Sequence, residues 1–596
     1  MPTFVQTVAL LAPLVGASPA SETPPGELVA LPWMESIRPA RRVQEPLRWV
    51  DGTPSRRTRW FHPTTGVELL RREHVMAAHA RVLPSNPVTT PVPVQVELDG
   101  VDGPGLGDQR REVWGCTSDA SLPAAGPRQL GACYPHRSAL ADANGNFEPP
   151  LPGVDFDATA PSIDDAYAEL AVYYHARTFE TWLDALELGV EPSCSLELLQ
   201  ANFVRLDGDG TVPVDGAYYT GTCDPASPRF VFGQGPALDY GYDADVVHHE
   251  LAHGLVDDIT ISGLWRQSCD ALSCGAQARA INEGIADFIA ASISDDPHIA
   301  EYIAQDPEVG VRNLDRDLRC PDDLLGDPYH DSQIVGGALW RARQRLGDSV
   351  FVLLRDTLAS VPPDVRFDEL ARGLLEVGTE QLDEADLRAL TEVLEQAGLP
   401  SCHHARAFEP GDHAVLVARP VGVSSPWPGP FQILVPVPEG ARRIELGLRL
   451  TAAYPVASVP SVPRLPTTPS LVAWIGDDGP VQLVATEDDD GRLRIEPRQA
   501  GHETRMLELL ADPDGSLRLE LDVDEGAEAV HLAFANPLPH VDLRLELVEL
   551  IELVELSAAV GSTGGCRAHR DSPTPQRQLL LVVGLLVISK RRKHPR

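Results

Sequence analysis

The chain has 596 residues, 43% of them hydrophobic and 23% charged, which is length for more than one folded domain and too apolar for a disordered chain. Its net charge is −38, and its two lysines, Lys590 and Lys593, both stand at the C-terminus, so the remainder draws its positive charge from arginine alone. That balance excludes nucleic acid as a partner, because phosphate contacts need basic surface, and it favours a soluble monomer.

Residues 1–20 read as a secretory signal peptide, with an apolar stretch from Phe4 to Val15 and small residues after it, although the first residues lack Lys or Arg. Residues 21–43 are Pro-rich and irregular. In RWFHPTTGVELLRREHVMAAHARVLPSNPVTTP, residues 59–91, a short strand, a Thr65-Gly66 turn and a second strand precede a break at Asn86-Pro87. Eight of the nine cysteines lie between Cys116 and Cys402. In an oxidising compartment they can form four bridges, which proximity assigns as Cys116 with Cys133, Cys194 with Cys223, Cys269 with Cys274 and Cys320 with Cys402, leaving Cys566 over.

The spacing of Ala166, Leu170, Tyr173, Tyr174, Phe179, Trp182 and Leu183 predicts an amphipathic helix over 159–187, its aromatic stripe serving the core. Residues 202–235 alternate as hairpin strands, VDGAYYTG and RFVFGQG, on either side of Cys223. LDGDGTV at 206–212 begins like a calcium loop, but the twelfth position is Tyr218 and an EF-hand is rejected.

Residues 243–258, DADVVHHELAHGLVDD, contain His249-Glu250-Leu251-Ala252-His253. On a helix, residues four apart share a face, so His249 and His253 can turn both imidazoles to one Zn²⁺ while Glu250, one step round, reaches a water there. Val246, Val247, Leu251, Ala252 and Leu255 supply a flank that buries the helix. In the next helix, 271–294, Glu283 and Asp287 are again four apart among Ile281, Ile285, Phe288 and Ile289. Two buried carboxylates need a cation or a donor. Zinc and a liganding imidazole meet that need, with Glu283 as third protein ligand and Asp287 accepting a histidine N–H. Three protein ligands leave a fourth position for water, as in a catalytic zinc site.

Helical patterns continue through 333–400. Beyond Arg406 seven β-branched or alternating runs, from HAVLVARPV to AVHLAFANP, are separated by Gly, Pro and Asp turns, the pattern of a β-sandwich over 405–555. The last segment, 556–596, is a Gly-rich linker with Cys566, an apolar run from Leu579 to Ile588 and a basic end. Ten residues make roughly 15 Å of helix, half the hydrocarbon thickness of a bilayer.

HHELAH with NEGIAD resembles the glutamate-zincin metallopeptidases of the thermolysin and fungalysin type, a resemblance that covers residues 87–402. It implies an α+β fold: a two-lobed peptidase core, with a β-rich N-terminal lobe and a helical C-terminal lobe, followed here by the all-β sandwich-like domain. It also implies one catalytic Zn²⁺, allows a Ca²⁺ in the acidic core domain, and makes proteins or peptides the substrate. By the same resemblance Ala217 lies on the strand that pairs with substrate backbone, although the family's preceding Asn is Gly216 here, and Arg312 falls where the family keeps an arginine for the substrate carbonyl. GDPYHDSQIVGGALW, 326–340, resembles the segment that supplies a transition-state donor; aligned on Asp331, Ser332 and Ile334, the position is Tyr329, with His330 one residue later, and either could donate. No tyrosine stands shortly before Glu283, where thermolysin-like enzymes place a second donor. Residues 59–91 resemble the end of the family's propeptide module, so 21–86 is a propeptide-like segment. The tail resembles the C-terminal sorting signals of myxobacterial surface proteins, which implies a secreted or cell-surface protein associated with the outer membrane. The function implied is a zinc endopeptidase, and the alternative is a peptidase-like surface binding protein whose catalysis is impaired.

Overall fold

The computed structural model describes residues 27–552, apart from breaks of one to five residues and two longer ones at 118–132 and 454–468. The signal-peptide reading of 1–20 and the tail reading of 556–596 fall outside the described residues. No described helix is long and apolar enough to cross a membrane. The fold is mixed α and β, with several sheets and eight α-helices among the described residues: α1 Ala166–Leu186, α2 Ala244–Thr260, α3 Gln277–Ser294, α4 Glu301–Ala304, α5 Pro328–Leu346, α6 Ser349–Leu358, α7 Phe367–Gln381 and α8 Glu384–Gln396.

An antiparallel sheet comes first, in which Glu27–Trp33, Ser36–Gln44 and Thr53–Phe61 lie side by side and Glu68–Val75 pairs with Thr53–Phe61 across the expected turn, where Gly66 takes φ 67°. Next, His79–Val82 pairs with Val94–Glu97, so one ladder crosses the boundary expected at 86. Leu83 N donates to Tyr167 Oη at 2.9 Å and Ala244 N to Ser85 O at 3.1 Å. Residues 79–85 are thus built into the helical body.

A six-stranded sheet follows, with Ala217–Tyr219 at its edge, then Phe230–Gly233, Glu197–Asp207, Arg111–Thr117 and Tyr134–His136. The two runs flanking Cys223 pair antiparallel, Ala217 opposite Phe232. Disulfides join Cys116 to Cys133, Cys194 to Cys223 and Cys320 to Cys402. Cys269 and Cys274 face each other across a two-stranded ladder, with the Cys269 side chain outside the described residues.

Helices α1, α5 and α8 start where an aspartate caps them. Asp165 accepts from Tyr167 N before α1, and Asp327 accepts from Tyr329 N before α5, which has Pro328 in its first turn. Helices α3 and α5 approach closely because glycines face one another. A Cβ on Gly284 would lie 2.5 Å from Ser332 O and 3.1 Å from Gly336 N, and one on Gly336 would lie 2.9 Å from Gly284 O. Backbone cannot step aside as a side chain can. Gly284→Ala is therefore expected to destabilise the chain by about 1–3 kcal/mol, read as a lower urea midpoint; an unchanged midpoint would refute this packing.

Beyond residue 405 the regular elements among the described residues are all strands. All seven runs expected there form strands, in a six-stranded and a four-stranded sheet plus the small Leu483–Glu487 with Leu493–Pro497 pair. Inward residues of the two larger sheets, such as Ile433, Ala473 and Leu532 from one and Leu446, Leu519 and Leu545 from the other, belong to one buried cluster. This region also touches the segments that lead into α3 and α5: Cys274 N donates to Gly429 O at 3.0 Å, Val415 N to Leu325 O at 2.7 Å, and Arg406 Nη1 to Leu324 O at 2.9 Å.

Candidate metal centre

Helix α2 is buried on nearly every side, His248, His249, Glu250 and His253 included, so its polar residues need partners from neighbouring elements. Helix α3 supplies them for His249 and His253. Asp287 Oδ1 lies 2.9 Å from His249 Nδ1, and Asn282 Oδ1 lies 2.9 Å from His253 Nδ1. Both oxygens are acceptors, so each imidazole carries its proton on Nδ1 and turns a lone pair outward from Nε2. The two Nε2 atoms then face each other at 3.1 Å, and Glu283 Oε2 stands 3.2 Å from one and 3.7 Å from the other.

Three lone pairs converging in a buried space repel unless a cation sits among them. Donors about 2.0–2.2 Å from a tetrahedral zinc lie roughly 3.3 Å apart, which the three separations match, so the donor set fits Zn²⁺. The protonation chemistry says the same. Burial pushes His249 down, but the hydrogen bonds and charges of Asp287 and Glu283 outweigh it and raise it to about 10. Burial pushes Glu283 and Asp287 up, and the neighbouring His249, His253 and Arg312 reverse that and hold both carboxyls at about 2. The space stabilises positive charge, and a metal competes for the place of the His249 proton.

Arg312 lies on the wall of this site with its guanidinium on Asp287, Nε to Oδ2 and Nη2 to Oδ1, both at 2.7 Å. That bidentate pair fixes the carboxylate that in turn fixes His249. Glu250 is beside the triad and accepts from the Tyr219 main-chain N–H; burial, opposed by the charge of His249, raises its carboxyl to about 7.

His249, Glu250, His253, Glu283 and Arg312 line one cleft of about 420 Å³, together with Gly216, Ala217 and Tyr329. Ala217 stands on the outermost strand of the sheet, with its other edge unpaired among the described strands. That strand is tied to α2: Tyr219 Oη donates to Asp257 Oδ2 at 2.8 Å and accepts from Arg229 Nη2 at 3.2 Å, while Arg229 also reaches Glu197 and Asp258, each at 2.8 Å.

The two donor candidates separate. Tyr329 lines the cleft, whereas the Nε2 of His330 faces Asp323 O at 3.1 Å, and His330 is not part of the cleft wall. Three residues of the site were missed in the sequence: Asn282, Arg229 and Arg279. Arg279 had a signal, since it stands four residues before Glu283 on one helix face.

A second acidic group lies at the start of α2. Asp243, Asp245 and Glu301 are all buried, with carboxylate oxygens within 4.8 Å of one another. Asp245 Oδ2 accepts from Ala300 N at 3.1 Å. Burial and the charge of Glu301 raise Asp243 to about 7, and burial and the charge of Asp243 raise Asp245 as well.

No protein-family model matches the chain, and no curated protein matches it. Among solved structures, the precursor of protealysin, a metalloproteinase from Serratia proteamaculans, aligns over 51% of this chain and 91% of its own, at 15% identity and a TM-score of 0.33. A likeness of that degree does not establish a shared fold.

Proposed function

We propose that the chain is a secreted or cell-surface zinc endopeptidase. The observation that carries this reading is the convergence of His249 Nε2, His253 Nε2 and Glu283 Oε2 with Glu250 beside them in an open cleft. When bound, zinc supplies Lewis acidity to a carbonyl and acidity to a water molecule. Glu250, poised near neutrality, takes the proton of that water and delivers it to the leaving amine. Tyr329 donates to the oxygen of the scissile carbonyl as its charge grows. The Ala217 strand offers its free edge to an extended peptide, and Arg312 acts through Asp287. The competing reading, a surface binding protein with impaired catalysis, draws on Gly216 in place of Asn and on the turned-away His330; the placement of Glu250 opposes it. Cleavage of unstructured casein that a chelator blocks and added zinc restores supports the enzyme. A folded, zinc-loaded protein that leaves casein intact sinks it.

Asp243, Asp245 and Glu301 form a hard, all-oxygen set of the kind Ca²⁺ takes, and we assign calcium there. Without it, the raised carboxyls bind more protons folded than unfolded, so their contribution to stability is full below the ordinary value of 3.8 and is lost as pH rises towards about 7. Calcium removes that fall. A melting temperature at pH 7 that rises with calcium, and does not rise in Asp245→Asn, is the expected result; equal responses in both proteins would reject the site.

A further inference from the structure

Arg279 stands one helical turn before Glu283 on α3, and its side chain, 42% exposed, reaches the cleft that Glu250 and Tyr329 line. Its Nη2 donates to Tyr329 Oη at 2.8 Å, its guanidinium carbon lies 5.1 Å from the centre of the Tyr329 ring, and its Nε lies 3.8 Å from Glu283 Oε1. One side chain therefore links the helix that carries a metal-ligand candidate to the first turn of α5, which carries the donor candidate. A guanidinium has only donors, and a phenol has one hydrogen. The Tyr329 oxygen that accepts from Arg279 must direct its own O–H elsewhere. Tyr329 is 41% exposed as a residue, and the guanidinium holds both its hydroxyl and its ring face.

We propose that Arg279 is the positioning residue that fixes Tyr329 as donor to the scissile carbonyl oxygen, polarising the phenol and turning its hydrogen into the cleft. This rests on the peptidase reading. Arg279 stays charged at any working pH, and its fixed fork suits a hydroxyl and a ring face together. A hydrogen bond received from a cation also makes the phenol a better donor in its turn.

The test is a double-mutant cycle on the full chain loaded with zinc, using a quenched fluorescent peptide, with NMR of ring-labelled tyrosine in the metal-free protein alongside it. Tyr329→Phe is expected to lower kcat by ~10²–10³. Arg279→Gln should lower kcat by up to ~10² through misplacement of that donor, with KM nearly unchanged and with partial recovery in Arg279→Lys. In the Tyr329→Phe background, Arg279→Gln should cost almost nothing further. The Tyr329 ring signal, identified by its loss in Tyr329→Phe, should move in Arg279→Gln. Losses that multiply, a change confined to KM, or an unmoved ring signal would overturn the inference and leave the peptidase reading standing. A zinc-loaded wild type that cleaves nothing would remove that reading, and the inference with it.

Discussion

Glu250→Gln is expected to retain about one zinc per chain while peptide cleavage falls by ~10²–10⁴, the share that a positioned general base contributes. The substitution keeps size and hydrogen-bonding capacity and removes only the ability to take a proton. Glu250 is not among the three groups whose lone pairs converge, so metal affinity has no reason to fall. The burial that raises its carboxyl to about 7 is what suits it to exchange a proton near neutral pH. Zinc content by elemental analysis and single-turnover cleavage, measured on the same preparation, check this. Cleavage that persists in the variant would remove Glu250 from its role.

Asp287→Ala carries the second large effect, and it falls on metal affinity and stability together. Asp287 is fully buried and holds both the Nδ1 of His249 and the guanidinium of Arg312, whose side chain is 17% exposed. Removing it frees the His249 ring to choose the wrong tautomer, which typically weakens zinc binding about 10–100-fold. It also leaves Arg312 as a nearly buried charge without its partner, at a cost of about 3–5 kcal/mol. Competition with a chelating dye reads the first loss and urea unfolding the second. Unchanged values in both would mean that the Arg312, Asp287 and His249 chain does not hold the site.

The parts of this centre that were legible in the sequence are those set by helix geometry. His249 with His253, and Glu283 with Asp287, are each four apart, and that spacing alone puts each pair on one face. Which of Tyr329 and His330 faces the cleft was not legible, because consecutive helical residues point about 100° apart and the choice depends on how α5 starts. Asp327 and Asp331 set that start, the latter accepting from Leu325 N and Gly326 N at 2.8 and 2.7 Å. The calcium candidate required a return of the chain from Asp245 to Glu301 that no local spacing encodes. The strand Leu543–Glu552 lies outside the seven runs, although Leu543, Leu545 and Leu547 alternate inward along it. The contacts of Val415, Arg406 and Gly429 with the segments before α5 and α3 join residues tens to more than a hundred positions apart, beyond any pattern in the sequence.

The zinc content of the oxidised protein spanning 21–555, purified without added metal, tests the central claim most directly. About one zinc per chain, lost when His253 is replaced by Ala, is the predicted result. A folded protein that holds no zinc, or holds it equally well without His253, would contradict the centre described here.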